Sequence, residues 1–177
     1  MACGQHDRRN ASKTCQFRET SKQGVLWRDN AATMFTPSKA DVRQFFCSVH
    51  AKAHSGQALE AIETIASLWI NEHPEYQPEL ADLDAALAAL SNDAADHSNA
   101  FLHLSMHLSI TEQCSIDQPR GIRQAVELLT HRLDSLHNAH HAVMDCLGQM
   151  LWESQRSGTA PDGQAYVACV QRRATQD

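Results

Sequence analysis

The chain has 177 residues, 42% hydrophobic and 20% charged, with only 7 Gly and 5 Pro. These proportions are those of one ordinary globular domain and exclude collagen-like, fibrous and wholly disordered chains. Apolar runs are a few residues long, far below the roughly 18 needed to cross a bilayer. No basic-then-apolar leader opens the chain, so the expectation is a cytoplasmic protein without membrane attachment. The formal net charge of −6 is uneven. Residues 1–33 set Arg8, Arg9, Lys13, Arg18, Lys22 and Arg28 against Asp7, Glu19 and Asp29, a net of +3, which leaves −9 on the remainder. A body of that sign repels phosphate, which argues against nucleic acid as a partner.

The six cysteines form no CxxC pair. They read as reduced thiols that pack as small hydrophobes, as expected in the cytosol. Cys3, His6 and Cys15 suggest a partial metal site, but it lacks a fourth ligand.

Residues 1–33 have no helical or strand period and read as a flexible basic tail, with the folded domain at 34–177. The tail is either a genuine arm or the product of a mis-called start, Met34 being the other candidate first residue. Thr36-Pro37 or the capping box Ser38-x-x-Asp41 opens the first helix. Val42, Phe45, Phe46 and Val49 give it one apolar face to about Ala53. A second helix runs from about Ala58 to Glu72 through Leu59, Ile62, Ile65, Ala66 and Trp69, and Pro74 stops it at His73. Residues 75–90 fit one or two short helices, and 91–99 (SNDAADHSN) a loop whose Asn99 caps the next helix.

That helix, from about Ala100 to Ile116, is apolar on most of its circumference, which places it centrally, with Leu104 and Leu108 in the core. A turn, DQPRGIR over 117–123, leads to an amphipathic helix through Ile122, Val126, Leu129 and Leu133. Its two arginines either grip an anion or belong to the turn itself. A helix from Asn138 to about Arg156 carries Val143, Cys146, Leu147 and Met150 on one face. A short last helix comes after Pro161-Asp162 with Tyr166, Val167 and Val170. No strand pattern or internal repeat occurs, so the fold class is all-α, a compact bundle of roughly six to eight helices with a disordered N-terminal tail.

Eleven histidines in such a chain invite attention, and two stripes carry the argument. His103 and His107 are four apart on the central helix, and His137, His141 and Asp145 continue that spacing on a later one. Residues four apart share a helix face, so each pair can present two ligands to one ion. Two such pairs complete a four-ligand zinc or iron site inside a bundle: His103, His107, His141 and Asp145, with His137 in support. Against this stands a reading in which the rings are hydrogen-bonded helix residues and His137, His140 and His141 form a solvated helix start. His140 points to the apolar face of its helix. Glu112 lies opposite His103 and is excluded. Ser105 and Ser109 read as bonded to their own helix rather than nucleophilic, and Cys114 as packing. His103-Leu104-Ser105-Met106-His107 lacks the glutamate a zincin needs after its first histidine, and no GxSxG, P-loop or GxGxxG occurs. Trp152 and Arg156 form a candidate interface pair.

The segments MFTPSKADVRQFF, WINEHPEYQPEL, FLHLSMHLSITEQCSIDQPRGIR and HHAVMDCLGQMLWESQRSG, in that order, resemble a bacterial family of domains of unknown function, number 1841, over about Met34 to Val170. The resemblance implies a small cytoplasmic protein and carries no activity, ligand or cofactor. The residues support two hypotheses. The default is a non-catalytic module that docks a protein partner or a second copy, with exposed histidines and an apolar patch. The alternative is a metal-binding bundle with an open position that activates water. The separation of the His103 and His141 rings discriminates: beyond about 8 Å one metal cannot join them.

Overall fold

The computed structural model describes residues 37–92 and 99–176. The basic tail, its Cys3, His6 and Cys15, and most of the 91–99 loop lie outside the described residues. Eight α-helices appear among those described: α1 (Lys39–His54), α2 (Ala61–Glu72), α3 (Gln77–Leu80), α4 (Leu83–Ala88), α5 (Ala100–Ile116), α6 (Ile122–Leu133), α7 (Leu136–Ser157) and α8 (Gly163–Thr175). Short 3-10 turns at Pro74–Tyr76 and Ala89–Asn92 flank the two small helices, and no strand occurs among these residues. The bundle is all-helical, as the periodicity predicts. None of these helices is long and apolar enough to cross a membrane.

The caps explain the boundaries. Ser38 and Asp41 form the capping box of α1: the Ser38 hydroxyl accepts from the Asp41 amide at 3.1 Å while the Asp41 carboxylate accepts from the Ser38 amide at 2.9 Å. Helix α2 starts three residues later than its apolar stripe suggests, because Glu60 and Glu63 cap it reciprocally. Asn99 caps α5 as expected, accepting from the Leu102 amide at 3.1 Å. Helix α7 begins two residues earlier than expected, since Ser135 accepts from the Asn138 amide. That brings His137 into its first turn and in phase with His141.

The turn after α5 is held by its own hydrogen bonds. Asp117, with φ 51°, accepts through its carboxylate from the Gly121 and Arg123 amides. The Arg123 guanidinium donates to the Cys114 and Ser115 carbonyls at 2.7 and 2.6 Å, satisfying two groups the helix end leaves open. Gly121 has φ 93°, a backbone that favours glycine. At Gly163 a Cβ would stand 3.0 Å from Pro119, so the start of α8 packs directly on this turn.

Two apolar cores form, and α5 runs through both. The first joins Phe46 and Val49 of α1, Ala66, Trp69 and Ile70 of α2, Leu80, Ala86, and Phe101 and Leu104 of α5. The second joins Ile110 of α5 to Ile122, Val126 and Leu129 of α6, Val143 and Leu147 of α7, and Tyr166, Val167 and Val170 of α8. Buried Arg43 fastens α1 to α4 by donating to the Ala86 carbonyl at 2.8 Å. Within the second core Cys146 and Cys169 are disulfide-bonded, which corrects the reading of all cysteines as reduced thiols. Their 23-residue separation carries no motif; the packing of α7 against α8 brings them together. Cys47 and Cys114 are free.

Leu104 is fully buried, whereas Leu108 is only partly so and packs at the edge of the first core. Leu104→Ala therefore costs about 2–5 kcal/mol in chemical denaturation, and Leu108→Ala less. Leu102→Ala, on the exposed side of the same helix, stays within about 0.5 kcal/mol. Equal losses at Leu104 and Leu102 would show that α5 does not sit between two cores.

Candidate metal centre

The junction of the two cores is lined with imidazole. His107, from the middle of α5, is fully buried, and His103 stands one turn earlier and partly exposed. His137, His140 and His141 arrive from the first turns of α7. His73 arrives from the end of α2, where the chain must leave the helix because Pro74 is next. His73 is itself buried, at 2% exposure.

Five of these rings converge through the same atom. His73 Nε2 lies 2.8 Å from His107 Nε2, 3.2 Å from His103 Nε2 and 3.1 Å from His137 Nε2. His103 Nε2 is in turn 3.2 Å from both His107 Nε2 and His141 Nε2. The ligand atoms of His73, His103, His107 and His141 all lie within 4.8 Å of one another, so these four residues are close enough to hold a metal ion. The His103 and His141 ring centroids are 4.9 Å apart, well inside the discriminating limit.

The surroundings orient these rings. Glu75, in the turn after Pro74, pairs with His73 Nδ1 at 2.8 Å and aims Nε2 at the centre. His140 Nδ1 meets His107 Nδ1 at 3.3 Å behind the group. Trp69 stacks on His107 at 4.1 Å and on His140 at 4.3 Å. Its Nε1–H donates to the Thr111 hydroxyl, which donates to the His107 carbonyl. Tyr76 stacks on His73 at 5.1 Å.

Burial governs the charge state. It holds His107 down to about 2, helped by repulsion from His140 and His103, and His103 down to about 4, helped by His73 and His141. His140 is lowered to about 4 by burial and then by His137 and His141, and His141 is lowered by burial and then by His137 and His73. These four rings are therefore neutral at pH 7, the form that binds metal.

Asp145 stands outside this group. It is 67% exposed and pairs with Arg173 of α8 at 2.9 Å. Each four-residue step turns about 40° around the helix, so two steps from His137 carry the stripe off the junction. His73 joins His103, His107 and His141 in the close group where spacing suggested Asp145, and His137 meets that group at His73. Sequence spacing misses His73 because it belongs to no i, i+4 pair. Its only signals are its position four residues after Trp69 and the HPE segment that ends α2. The solvated-helix-start reading fails at His140, which is 3% exposed. Ser105 donates to the Phe101 carbonyl, as a helix serine does. Burial pushes the Cys114 thiol up to about 11, as suits a packing residue. Trp152 is 58% exposed with the Arg156 guanidinium 4.7 Å over its ring, and is not part of the core.

A small all-helical protein built around a nest of imidazoles is the class that fold and site define. The chain belongs to the family described as Domain of unknown function (DUF1841), whose model matches residues 38–172. Among curated proteins and among solved structures, none matches the chain.

The lowered values predict an acid-sensitive fold once metal is removed with chelator. Below about pH 6.5 the unfolded chain protonates these histidines, while the folded chain leaves His103 and His140 neutral to about 4. The unfolded state then binds more protons, so stability is present above about pH 6.5 and declines as pH falls towards 4. The melting temperature of chelator-treated protein should fall steadily from pH 7 to pH 5; a flat profile would contradict the burial of these rings.

Proposed function

We propose that this chain is a metal-binding helical protein in which His73, His103, His107 and His141 hold one divalent transition-metal ion, with His137 against His73 at 3.1 Å. The observation that carries the reading is the triangle of His73, His103 and His107 nitrogens, with sides of 2.8, 3.2 and 3.2 Å. An imidazole nitrogen is either a donor or an acceptor and never both at once. Of three nitrogens in mutual contact, two must therefore carry the same role and face each other unsatisfied. An ion about 2.1 Å from each corner receives all three lone pairs and removes the conflict.

Imidazole donors suit zinc, iron, copper and nickel rather than magnesium or calcium. Structural zinc closes at four tetrahedral ligands, whose nitrogens would stand about 3.4 Å apart with bonds of about 2.1 Å. Right-angled coordination brings them to about 3.0 Å at the same bond length, closer to the separations here. Donors at such spacing accommodate iron(II) as well as zinc, and right-angled coordination by four rings leaves a position for water, which a bound ion acidifies. Glu75 supplies, through His73, the carboxylate that sharpens a metal-binding imidazole.

The interaction-module reading has one observation in its favour, the exposure of Trp152 at 58% beside Leu151 at 41%. It also expects exposed histidines, whereas His73, His107 and His140 are buried. The metal reading is the stronger, and a docking surface at Trp152 would be a separate property.

Elemental analysis of untagged protein purified without chelator tests the proposal. About one metal ion per chain is expected, lost in a His73→Ala, His107→Ala double variant and retained in Asp145→Ala. Glu75→Gln should weaken metal affinity by about 10- to 100-fold. Metal-free wild-type protein that is folded, or loss of metal in Asp145→Ala, would overturn it.

A further inference from the structure

Of the five converging rings, His137 is placed differently from the rest. It is not among the four whose ligand atoms lie within 4.8 Å of one another. Its Nε2 meets one of theirs, that of His73, at 3.1 Å. The same ring is partly exposed and lines a cavity of about 850 Å³ walled by α2, α5, α6 and α7. His137 therefore belongs to the cavity wall and touches the nest at a residue that is itself buried.

That position matters because two of the four ligands lie deep. His73 is 2% exposed and His107 is 0% exposed. A hydrated ion gives up its water one position at a time, and each exchange is easier when the next imidazole already stands within reach of the last. His137 offers such a step between the cavity and His73. The lining of the cavity suits a cation. Glu72, the residue before His73, and Glu127 are both exposed there, against the one guanidinium of Arg123, so with its histidines neutral the lining is negative and draws positive ions. Neither carboxylate pairs with a described residue. By contrast, Glu75 is engaged by His73 Nδ1 and Asp145 by Arg173.

From this we infer that His137 is a transfer ligand: it takes the metal ion from the cavity, passes it to His73 and stays outside the final four-ring shell. The inference rests on the metal-site reading above and adds the route by which the ion arrives. A group that touches the ion only in passage lowers the barrier for entry and for exit alike. Its loss slows both by one factor and leaves their ratio, the dissociation constant, in place. Loss of a ring from the final shell raises the dissociation constant instead.

The test uses the full chain and cobalt(II), whose visible absorption reports imidazole coordination. Uptake by chelator-treated protein is followed by stopped-flow absorption, and release at chelator concentrations where the rate no longer depends on chelator. His137→Ala is expected to slow uptake and release each by about tenfold, which is about 1.4 kcal/mol at the barrier, with the dissociation constant unchanged within about threefold. His137→Glu, which returns a metal donor to that place, should recover most of both rates. Glu72→Gln combined with Glu127→Gln should slow uptake at low salt and lose that effect as salt is raised. Circular dichroism and melting curves verify that each variant folds. Rates in His137→Ala equal to those of the wild type, a dissociation constant raised tenfold or more, or slowing that His137→Glu does not relieve overturns the transfer role and leaves the metal site standing. Uptake at low salt that ignores the loss of both carboxylates overturns the route through the cavity. Cobalt that fails to bind the wild-type protein removes the metal reading and this inference together.

Discussion

Three imidazole nitrogens in mutual contact are a constraint that hydrogen bonding cannot meet. In the core of a protein, an unmet polar group costs on the order of 1–3 kcal/mol. Here the group is not one atom but a set, His73, His103 and His107, with His137 and His141 closing on it from α7. Three helices must converge for this to occur, and the remainder of the fold brings them there. Pro74 ends α2 at the right residue, Asn99 starts α5 so that His103 and His107 share a face, and Ser135 starts α7 early enough to include His137.

The two-core arrangement has the same origin. A helix that is apolar on most of its circumference needs partners on several sides, and α5 finds them in α1 and α2 on one stretch and in α6, α7 and α8 on another. The nest occupies the seam between. Trp69 closes it by stacking on both His107 and His140, so an aromatic wall replaces water on one flank. The same wall reaches the neighbouring cavity, which His137 and His140 also line.

Much of the fold is legible in the sequence because its signals are local. Caps at Ser38, Asn99 and Asp162 and the break at Pro74 mark helix ends within a few residues, and they act on the nearest turn alone. The pairing of His103 with His107 and of His137 with His141 is equally local, since an i, i+4 spacing fixes a shared face. The features that escape the sequence depend on tertiary packing. His73 sits alone at a helix end, and only the approach of α2 to α5 brings it to the other rings. Asp145 has the right spacing but points where α8 supplies Arg173. Cys146 and Cys169 meet because α7 packs on α8, and no motif announces the bond.

The central claim is that four imidazoles, those of His73, His103, His107 and His141, and no carboxylate, would hold one ion. X-ray absorption spectroscopy of the metal-loaded protein tests it most directly. The account predicts a first shell of nitrogen at about 2.1 Å with the multiple-scattering pattern of about four imidazole rings, reduced by one ring in His73→Ala. A shell completed by carboxylate oxygen, or one unchanged in His73→Ala, would contradict it.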